Sequence, residues 1–291
     1  MIVDCHTQVW GASSRGVPCV TECGGEDVRA DINRHLEAVH MIDRAIVLAF
    51  KSRYLNTEIS NEFVSDYVRR FSAKLVGFAG IDPTDSDCLD EIRRAQEALG
   101  LKGITVSPAL QDFHPSDTRA MRVYEECARR RLPIVFQQSH RNALAKLEYA
   151  RPLMLDAIAA EFPELRIIVA HMGYPWVDET VVLLGKHRHV YADVSGLLQR
   201  PWLGYKSLLA AYEYGVMNKL LFGSDFPYRS PVACIEALYS VNQLSYGTNL
   251  VTIPREQLRG IVERDALSLL GLAERQNGNG VSTVGNAADH D

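Results

Sequence analysis

Short apolar runs rich in Val and Ile alternate with amphipathic stretches along most of the chain. Such runs are typical of strands that are buried on both faces, as in a parallel sheet. The first run starts at Ile2, and the other seven span residues 45–48, 75–79, 102–106, 133–136, 166–170, 190–194 and 219–222. The pattern predicts eight strands that are separated by helices.

The stretches between the runs have the apolar period of helices, and start signals such as Ser116-Asp117 and Pro231 precede two of them. The predicted helices span residues 27–40, 59–70, 89–99, 117–131, 153–162, 177–186, 205–214 and 232–244. Eight strand–helix pairs in unbroken order favour an α/β fold, the single-domain (β/α)8 TIM barrel. A doubly wound open sheet is the alternative, but it rarely needs eight repeats, and no G-x-G-x-x-G motif follows the first strand.

The end of the chain divides into two parts. Residues 254–272 predict a C-terminal helix that closes the barrel. Residues 273–291 are rich in Gly, Asn, Ser and Asp and have little to bury, so their composition predicts a flexible, disordered tail. We therefore expect one barrel domain over residues 1–272 and a tail over residues 273–291.

The composition argues against nucleic acid and membranes as partners. The 291 residues are 47% apolar and 23% charged and carry a net charge of −5. No apolar stretch approaches the roughly 20 residues that a membrane helix needs. The six cysteines are scattered, and without a second pair at zinc-site spacing they are expected to be free thiols of a cytoplasmic protein.

Polar side chains stand at the ends of several predicted strands, where the active site of a TIM barrel lies. His6 and Gln8 are two residues apart on the first strand and are expected to point to the same side, whereas Cys5 is expected to face the helices. Three further strand ends carry Gln137, His171 and Asp225. Convergence of these residues on one mouth is the feature that favours a functional site, because any single strand-end histidine is more often only a hydrogen-bonded residue.

These residues lie within segments that resemble the amidohydrolase superfamily, specifically the amidohydrolase-related (amidohydrolase 2, aminocarboxymuconate-semialdehyde decarboxylase-like) family. The most specific segments are Ala170-His171-Met172-Gly173-Tyr174-Pro175-Trp176 and Leu221-Phe222-Gly223-Ser224-Asp225-Phe226-Pro227. Weaker matches are Val3-Asp4-Cys5-His6, Gly77-Phe78-Ala79-Gly80-Ile81-Asp82-Pro83, Leu101-Lys102-Gly103-Ile104 and Tyr149-Ala150-Arg151-Pro152. The resemblance extends over residues 2–272 and implies the same barrel fold.

The family pattern has a His-x-His pair on strand one, a histidine at the end of strand five, another at the end of strand six and an aspartate at the end of strand eight. In metal-using members the first pair, the strand-five histidine and the aspartate hold a divalent ion. By that pattern His6, His171 and Asp225 match, while Gln8 and Gln137 replace two histidines. An amide oxygen is a weaker zinc ligand than imidazole. The resemblance thus implies a degenerate metal site in which His6 and Asp225, with or without the two glutamines, bind Zn²⁺ or Mn²⁺ weakly or not at all.

The resemblance implies a metal-dependent hydrolase superfamily enzyme that acts on a small carboxylated or cyclic substrate of the lactone, ester or amide type. Asp225 and His171 would promote attack by water, and Gln8, Gln137, His114 and Trp176 would contact the substrate. Two alternatives stay open, namely a metal-dependent non-oxidative decarboxylase of the same family and an inactive barrel that only binds a ligand. His140, three residues past Gln137, could replace a lost metal ligand but is more simply a loop residue. Families resembling this one also allow for a homodimer.

Overall fold

The eight predicted strands form a parallel barrel. The computed structural model describes residues 1–11, 14, 30–138 and 143–273. The barrel strands are β1 (Val3–Thr7), β2 (Arg44–Leu48), β5 (Leu75–Gly80), β6 (Gly103–Val106), β7 (Ile134–Phe136), β8 (Ile167–Val169), β9 (Val190–Asp193) and β10 (Leu220–Leu221). They pair in that order, and neighbouring strands of the eight-stranded sheet run parallel. The prediction of a (β/α)8 TIM barrel is confirmed.

The barrel closes where the segment after β10 returns to β1. The Cys5 backbone N–H donates to the Phe222 carbonyl at 2.9 Å, and the Gln8 N–H donates to the Phe226 carbonyl at 2.9 Å. An isolated parallel bridge joins Thr7 to Phe226. These bonds continue beyond the two residues of β10, so the segment after the last strand is hydrogen-bonded to the first strand and the barrel is nearly closed.

Helices follow the strands on the outside of the barrel. They are α1 (Ile32–Ala38), α2 (Asn61–Arg70), α3 (Cys88–Glu97), α4 (Pro108–Gln111), α5 (Thr118–Arg130), α6 (Leu155–Glu161), α7 (Val177–Lys186), α8 (Pro201–Glu213), α9 (Pro231–Tyr239), α10 (Arg255–Val262) and α11 (Ala266–Leu269). The predicted helix over residues 177–186 has the bounds of α7. The helix predicted over residues 27–40 is observed as α1, and the part of that prediction before residue 30 lies outside the described residues.

Besides shifts of a few residues at helix ends, such as the start of α8 at Pro201 and the end of α9 at Tyr239, three features differ from the sequence-based expectation. An antiparallel hairpin of β3 (Phe50–Ser52) and β4 (Thr57–Ile59) follows β2, so the helix predicted to start at residue 59 starts two residues later, after the Ser60 cap. The short helix α4 was not expected. The single closing helix predicted over residues 254–272 is broken into α10 and α11, because Asp265 leaves helical geometry and its side chain accepts the Ser268 N–H.

The apolar residues form two layers, one inside the barrel and one between the strands and the helices. The inner cluster consists of Val3, Cys5, Ile46, Leu48, Val76, Phe78, Val135, Ile168, Ala170, Tyr191, Leu221, Ala266, Leu267 and Leu270. Its last three members belong to α11 and the residue after it. Arg166, which precedes β8, donates to the Leu269 carbonyl at 3.0 Å. Helix α11 therefore covers the amino-terminal end of the strands and leaves the carboxyl end as the mouth.

Among the described helices, none is both long and apolar enough to cross a membrane. The domain bounds at residues 1–272 and the tail predicted over residues 273–291 stay predictions, and residues 274–291 lie outside the described part of the chain.

Candidate active site

Five polar residues occupy the ends of five barrel strands. His6 lies near the end of β1, Asp193 ends β9, Gln137 directly follows β7, and His171 follows β8. Asp225 follows β10 by a few residues, and its backbone N–H donates to the His6 carbonyl at 3.0 Å. All five stand at the carboxyl end of a parallel barrel, which is where TIM-barrel enzymes place their catalytic groups.

A bulge near the end of β1 turns His6 into the barrel. Asp4 pairs with Ala45 and Thr7 with Val47, so β1 has one residue more than β2 between these pairs. The Cys5 side chain packs in the inner apolar cluster, and His6 contacts residues of the mouth. The expectation that Cys5 faces the helices is therefore wrong, because the strict alternation of a strand fails at the bulge.

The Asp4 side chain holds the backbone of β1 and the backbone of the segment after β10 together. Its Oδ1 accepts the His6 N–H at 3.1 Å and the Ser224 N–H at 2.9 Å. Burial raises the pKa of Asp4 to about 6, although these donors oppose the shift. Asp4 thus ties the residue that precedes Asp225 to the strand that carries His6.

Both ring nitrogens of His6 have partners. Nδ1 lies 3.0 Å from Asp193 Oδ2, and Nε2 lies 3.0 Å from the amide nitrogen of Gln137. Burial alone would lower the pKa of His6, but the Asp193 carboxylate outweighs it, with help from Asp225 and Asp4, and the net shift is upward. Because a carboxylate only accepts, Nδ1 carries a proton, and the Gln137 amide can donate to the lone pair of Nε2.

His171 lies partly exposed, and its backbone has the left-handed conformation, with a φ of 56°. Its ring lies against the ring of His6, with centroids 4.7 Å apart. Its Nδ1 is 3.1 Å from the carbonyl oxygen of Ser195 and 2.8 Å from the Ser195 hydroxyl. Burial lowers the pKa of His171 despite the neighbouring Asp225 carboxylate, so the imidazole is favoured in its neutral form.

Asp225 completes the cluster. Its backbone φ is 65°, and its Oδ1 lies 3.9 Å from His6 Nε2. Gly196, in the loop after β9, passes so close that a Cβ there would lie 3.2 Å from both Asp225 Oδ2 and His171 Nδ1. Glycine, which has no side chain, is needed at position 196 for the loop to lie this close to Asp225 and His171.

The cluster fits one divalent metal ion. One ring nitrogen from each of His6 and His171 and one carboxylate oxygen of Asp225 lie within 4.8 Å of one another. Two imidazoles and a carboxylate suit Zn²⁺ or Mn²⁺, with further positions for water. His6 would have to exchange the Gln137 hydrogen bond for the metal bond, so we expect weak binding. The expected ligand set of His6 and Asp225, with or without Gln8 and Gln137, did not include His171.

Asp193 was missed by the sequence analysis, although it is the most connected polar residue of the site. It was counted as part of the apolar run 190–194, and no strand-seven residue belongs to the family pattern. It is fully buried. Burial acts to raise the pKa of Asp193, but the neighbouring His6 outweighs burial and holds this pKa well below the ordinary range. The rule that strand ends carry the chemistry would have found it, because it is the last residue of β9.

Among the described residues, the side chains of the remaining candidates make no hydrogen bond to these five residues. The Gln8 side chain is half-buried just beyond β1, and no hydrogen bond joins it to another described residue. His114 is exposed, accepts the Ser116 N–H at 3.1 Å and meets the Tyr149 ring. Trp176 is half-buried at the start of α7. Substrate contacts at these three positions stay predictions, and His140 lies outside the described residues.

Solved structures with the same fold include several enzymes. A probable 2-pyrone-4,6-dicarboxylic acid hydrolase from Acinetobacter baumannii, with citric acid bound, is 14% identical with a TM-score of 0.68, over 93% of this chain and 99% of that one. A 2,6-dihydroxybenzoate decarboxylase from Rhizobium is 14% identical with a TM-score of 0.67, over 93% and 98%. An amidohydrolase from Burkholderia multivorans with bound zinc is 14% identical with a TM-score of 0.71, over 94% and 100%. At this identity the likeness shows the fold.

No curated protein sequence matches the chain. The model of the family described as amidohydrolase (Amidohydro_2) matches residues 3–272, which span the whole barrel and every residue of the cluster. Solved proteins of this architecture include both hydrolases and decarboxylases. The protein belongs to the amidohydrolase family.

Proposed function

We propose that the protein is a hydrolase that opens a small carboxylated or cyclic ester, such as a lactone, or a related amide. The observation that carries this proposal is the meeting of His6, His171 and Asp225 within 4.8 Å at the barrel mouth. A carboxylate beside two imidazoles can accept, hold and return a proton, which is what hydrolysis by water requires. The family match and a solved relative named as a probable hydrolase support the same class.

In the proposed reaction Asp225 accepts a proton from water as the water oxygen attacks the substrate carbonyl carbon. His171 lies beside this carboxylate and orients the water through its unprotonated ring nitrogen. The proton then passes to the leaving oxygen or nitrogen, which completes the hydrolysis. Asp225 suits the role of base because its side chain keeps 12% of its surface exposed, whereas Asp193 is fully buried.

Gln137 is proposed to bind the substrate or hold its partner histidine in place. Its amide nitrogen is engaged with His6, and the same amide has a second N–H and an oxygen that can bind a substrate. A divalent ion held by His6, His171 and Asp225 would, when bound, polarise the carbonyl and lower the pKa of a water molecule. Gln8, His114 and Trp176 remain proposed substrate contacts on the surrounding loops.

The test combines metal content with a substrate panel. Protein purified without chelator or histidine tag is first measured by elemental analysis. Lactones, activated esters and aromatic carboxylates are then offered to the metal-free protein and to protein with added Zn²⁺ or Mn²⁺. Asp225→Asn should abolish ester or lactone hydrolysis, whereas Asp178→Asn, an exposed position on α7, should leave it unchanged.

The outcomes separate the rival functions. Release of carbon dioxide from aromatic carboxylates, without ester hydrolysis, would replace the proposal with a decarboxylase, which the solved decarboxylases of this fold make a reasonable second test. Tight binding of a panel compound that Asp225→Asn retains, with no turnover under any metal condition, would instead indicate a ligand-binding barrel. Equal activity of Asp225→Asn and the original protein would contradict the assigned base.

A further inference from the structure

The carboxylate of Asp193 forms hydrogen bonds with both histidines of the site, with the ring of His6 and with the backbone of His171. Its Oδ2 lies 3.0 Å from His6 Nδ1, and its Oδ1 accepts the backbone N–H of His171 at 3.0 Å. The same Oδ1 accepts the backbone N–H of Ser195 at 3.1 Å and a short hydrogen bond from the Ser195 hydroxyl. Asp193 is fully buried, so these partners and not solvent satisfy its charge.

Ser195 continues this network to His171. The Ser195 hydroxyl donates to Asp193 and can therefore accept from His171 Nδ1, which lies 2.8 Å away. The Ser195 carbonyl oxygen, 3.1 Å from the same nitrogen, can only accept. Both contacts require a proton on His171 Nδ1, so the neutral ring has its lone pair on Nε2, directed away from Ser195.

The His6 ring is likewise fixed through its Nδ1 atom. Its Nδ1 faces an ionised carboxylate and must donate, so the lone pair of the neutral ring is on Nε2, which lies 3.9 Å from Asp225 Oδ1. The identity of the protonated nitrogen in a histidine is set by the hydrogen bond at the other nitrogen. One carboxylate and one serine thus define the proton positions on two imidazoles.

We propose that Asp193 and Ser195 are positioning residues that hold His6 and His171 as Nδ1-protonated tautomers and so present both Nε2 atoms as acceptors. The catalytic consequence rests on the proposed hydrolytic function, whereas the tautomers themselves do not. Replacing a carboxylate by an amide in such a pair offers an N–H to Nδ1 and favours the wrong tautomer, which costs up to about 10⁴-fold in kcat in a comparable aspartate–histidine pair.

The experiment is nitrogen NMR on the full-length protein with ¹⁵N-labelled histidine, metal-free and at mildly alkaline pH. His6→Gln and His171→Asn identify the two sets of signals by their loss. In the original protein both rings should show a protonated Nδ1 and an unprotonated Nε2. Asp193→Asn should move the proton of His6 to Nε2, and Ser195→Ala should keep the His171 tautomer through the backbone carbonyl while shifting its Nδ1 signal.

A matched control comes from a second aspartate–histidine pair. Asp156 Oδ1 lies 2.7 Å from His187 Nε2 near the surface, so Asp156→Asn should change the signals of His187 and leave those of His6 and His171 unchanged. If a substrate is found, Asp193→Asn should lower kcat by about 10²-fold or more with a smaller effect on KM, and Ser195→Ala by about 10-fold.

Some results would overturn the proposal. A protonated Nε2 on either His6 or His171 in the original protein would do so without any variant, and this measurement stands even if Asp193→Asn fails to fold. An unchanged His6 tautomer in folded Asp193→Asn would do the same. Correct tautomers in a protein that hydrolyses nothing would leave the positioning role intact and reject the proposed function instead.

Discussion

The amide nitrogen of Gln137 and the Nε2 atom of His6 lie 3.0 Å apart, so the amide occupies the lone pair by which His6 would bind a metal. The family pattern has a histidine where Gln137 stands, and that histidine would share a metal with His6 instead of capping it. By that comparison, Gln137 at the end of β7 is a hydrogen-bond partner of His6 at the position where the family pattern has a metal ligand. The effect on metal binding follows directly from this difference.

We predict that restoring the two histidines restores tight metal binding. In Gln8→His/Gln137→His, two imidazoles are added and the cap on His6 is removed, so the zinc dissociation constant should fall by at least about 10-fold. Competition with a chromophoric chelator measures this constant. Gln257→His adds an imidazole at an exposed position on α10 and should leave the site affinity unchanged.

Gln137→His alone should give part of this gain, because it removes the cap as well as adding a ligand. If the double variant binds zinc no more tightly than Gln257→His does, then Gln8 and Gln137 do not face the position that an ion would take. That result would remove the degenerate metal site from the description of this protein.

A second prediction concerns Gly196, where the loop after β9 lies against Asp225 and His171. Its φ is +70°, and an added Cβ would lie 3.2 Å from Asp225 Oδ2 and from His171 Nδ1. Gly196→Ala should therefore move these groups by a few tenths of an ångström and lower turnover by about 10-fold or more. It should also cost about 1 kcal/mol of stability because of the left-handed backbone.

A control at Gly215 separates the effect on turnover from the effect on stability. Its φ is +77°, and nothing lies within 4 Å of an added Cβ, so Gly215→Ala should cost a similar stability and leave turnover intact. Urea unfolding and steady-state kinetics on both variants make the comparison. Full activity in Gly196→Ala would show that the loop does not restrain the carboxylate and the imidazole.

The sequence was sufficient for the barrel because the strands lie in short apolar runs that are buried on both faces, and this pattern needs no tertiary information. The sequence was also sufficient to predict that His6, Gln137, His171 and Asp225 lie together, since strand ends meet at one mouth in any parallel barrel. Their convergence follows from topology alone.

What the sequence could not supply depends on local irregularity. The bulge in β1 places Cys5 and His6 on the inner side together, and no alternation rule anticipates an extra residue. Ser195 joins the site only because the loop after β9 folds back on His171. The break between α10 and α11 likewise arises from the Asp265 cap, which competes with a continuous apolar period.

A third prediction uses His35, a buried residue of α1 near the site. Its side chain is fully buried, Nδ1 lies 2.7 Å from the Tyr67 hydroxyl, and its ring contacts Phe226. Burial lowers the pKa of His35 from 6.5 to about 4. Between these two values the unfolded chain binds a proton that the folded protein does not, so stability falls as the pH falls through this window.

The contribution of His35 should reach about 3 kcal/mol by the low end of the window. Asp4 acts in the opposite direction, because its raised pKa of about 6 makes the folded protein bind a proton at a higher pH than the unfolded chain does. The pH dependence of the unfolding free energy of the original protein is therefore a sum that includes both contributions. The measured quantity is therefore the difference in unfolding free energy between the original protein and His35→Gln. This difference should change with pH, whereas the difference for exposed His40→Gln should change little; equal behaviour of the two variants would show that His35 is not held neutral.

The last prediction concerns the end of the barrel opposite the site. Leu270 is fully buried in the inner apolar cluster just after α11. Leu270→Ala should lower the free energy of unfolding by about 2–5 kcal/mol, the usual range for such a truncation. The Leu269 side chain is only half-buried, and the hydrogen bond from Arg166 goes to its backbone carbonyl, which a truncation to Ala keeps. Leu269→Ala should therefore lower the free energy of unfolding much less. Because the active sites of TIM-barrel enzymes lie at the carboxyl end of the strands and not at the opposite end, both variants should keep their turnover at temperatures where they are folded. A drop in turnover for Leu270→Ala that exceeds its unfolded fraction would show that packing beneath the strands is coupled to the position of His6.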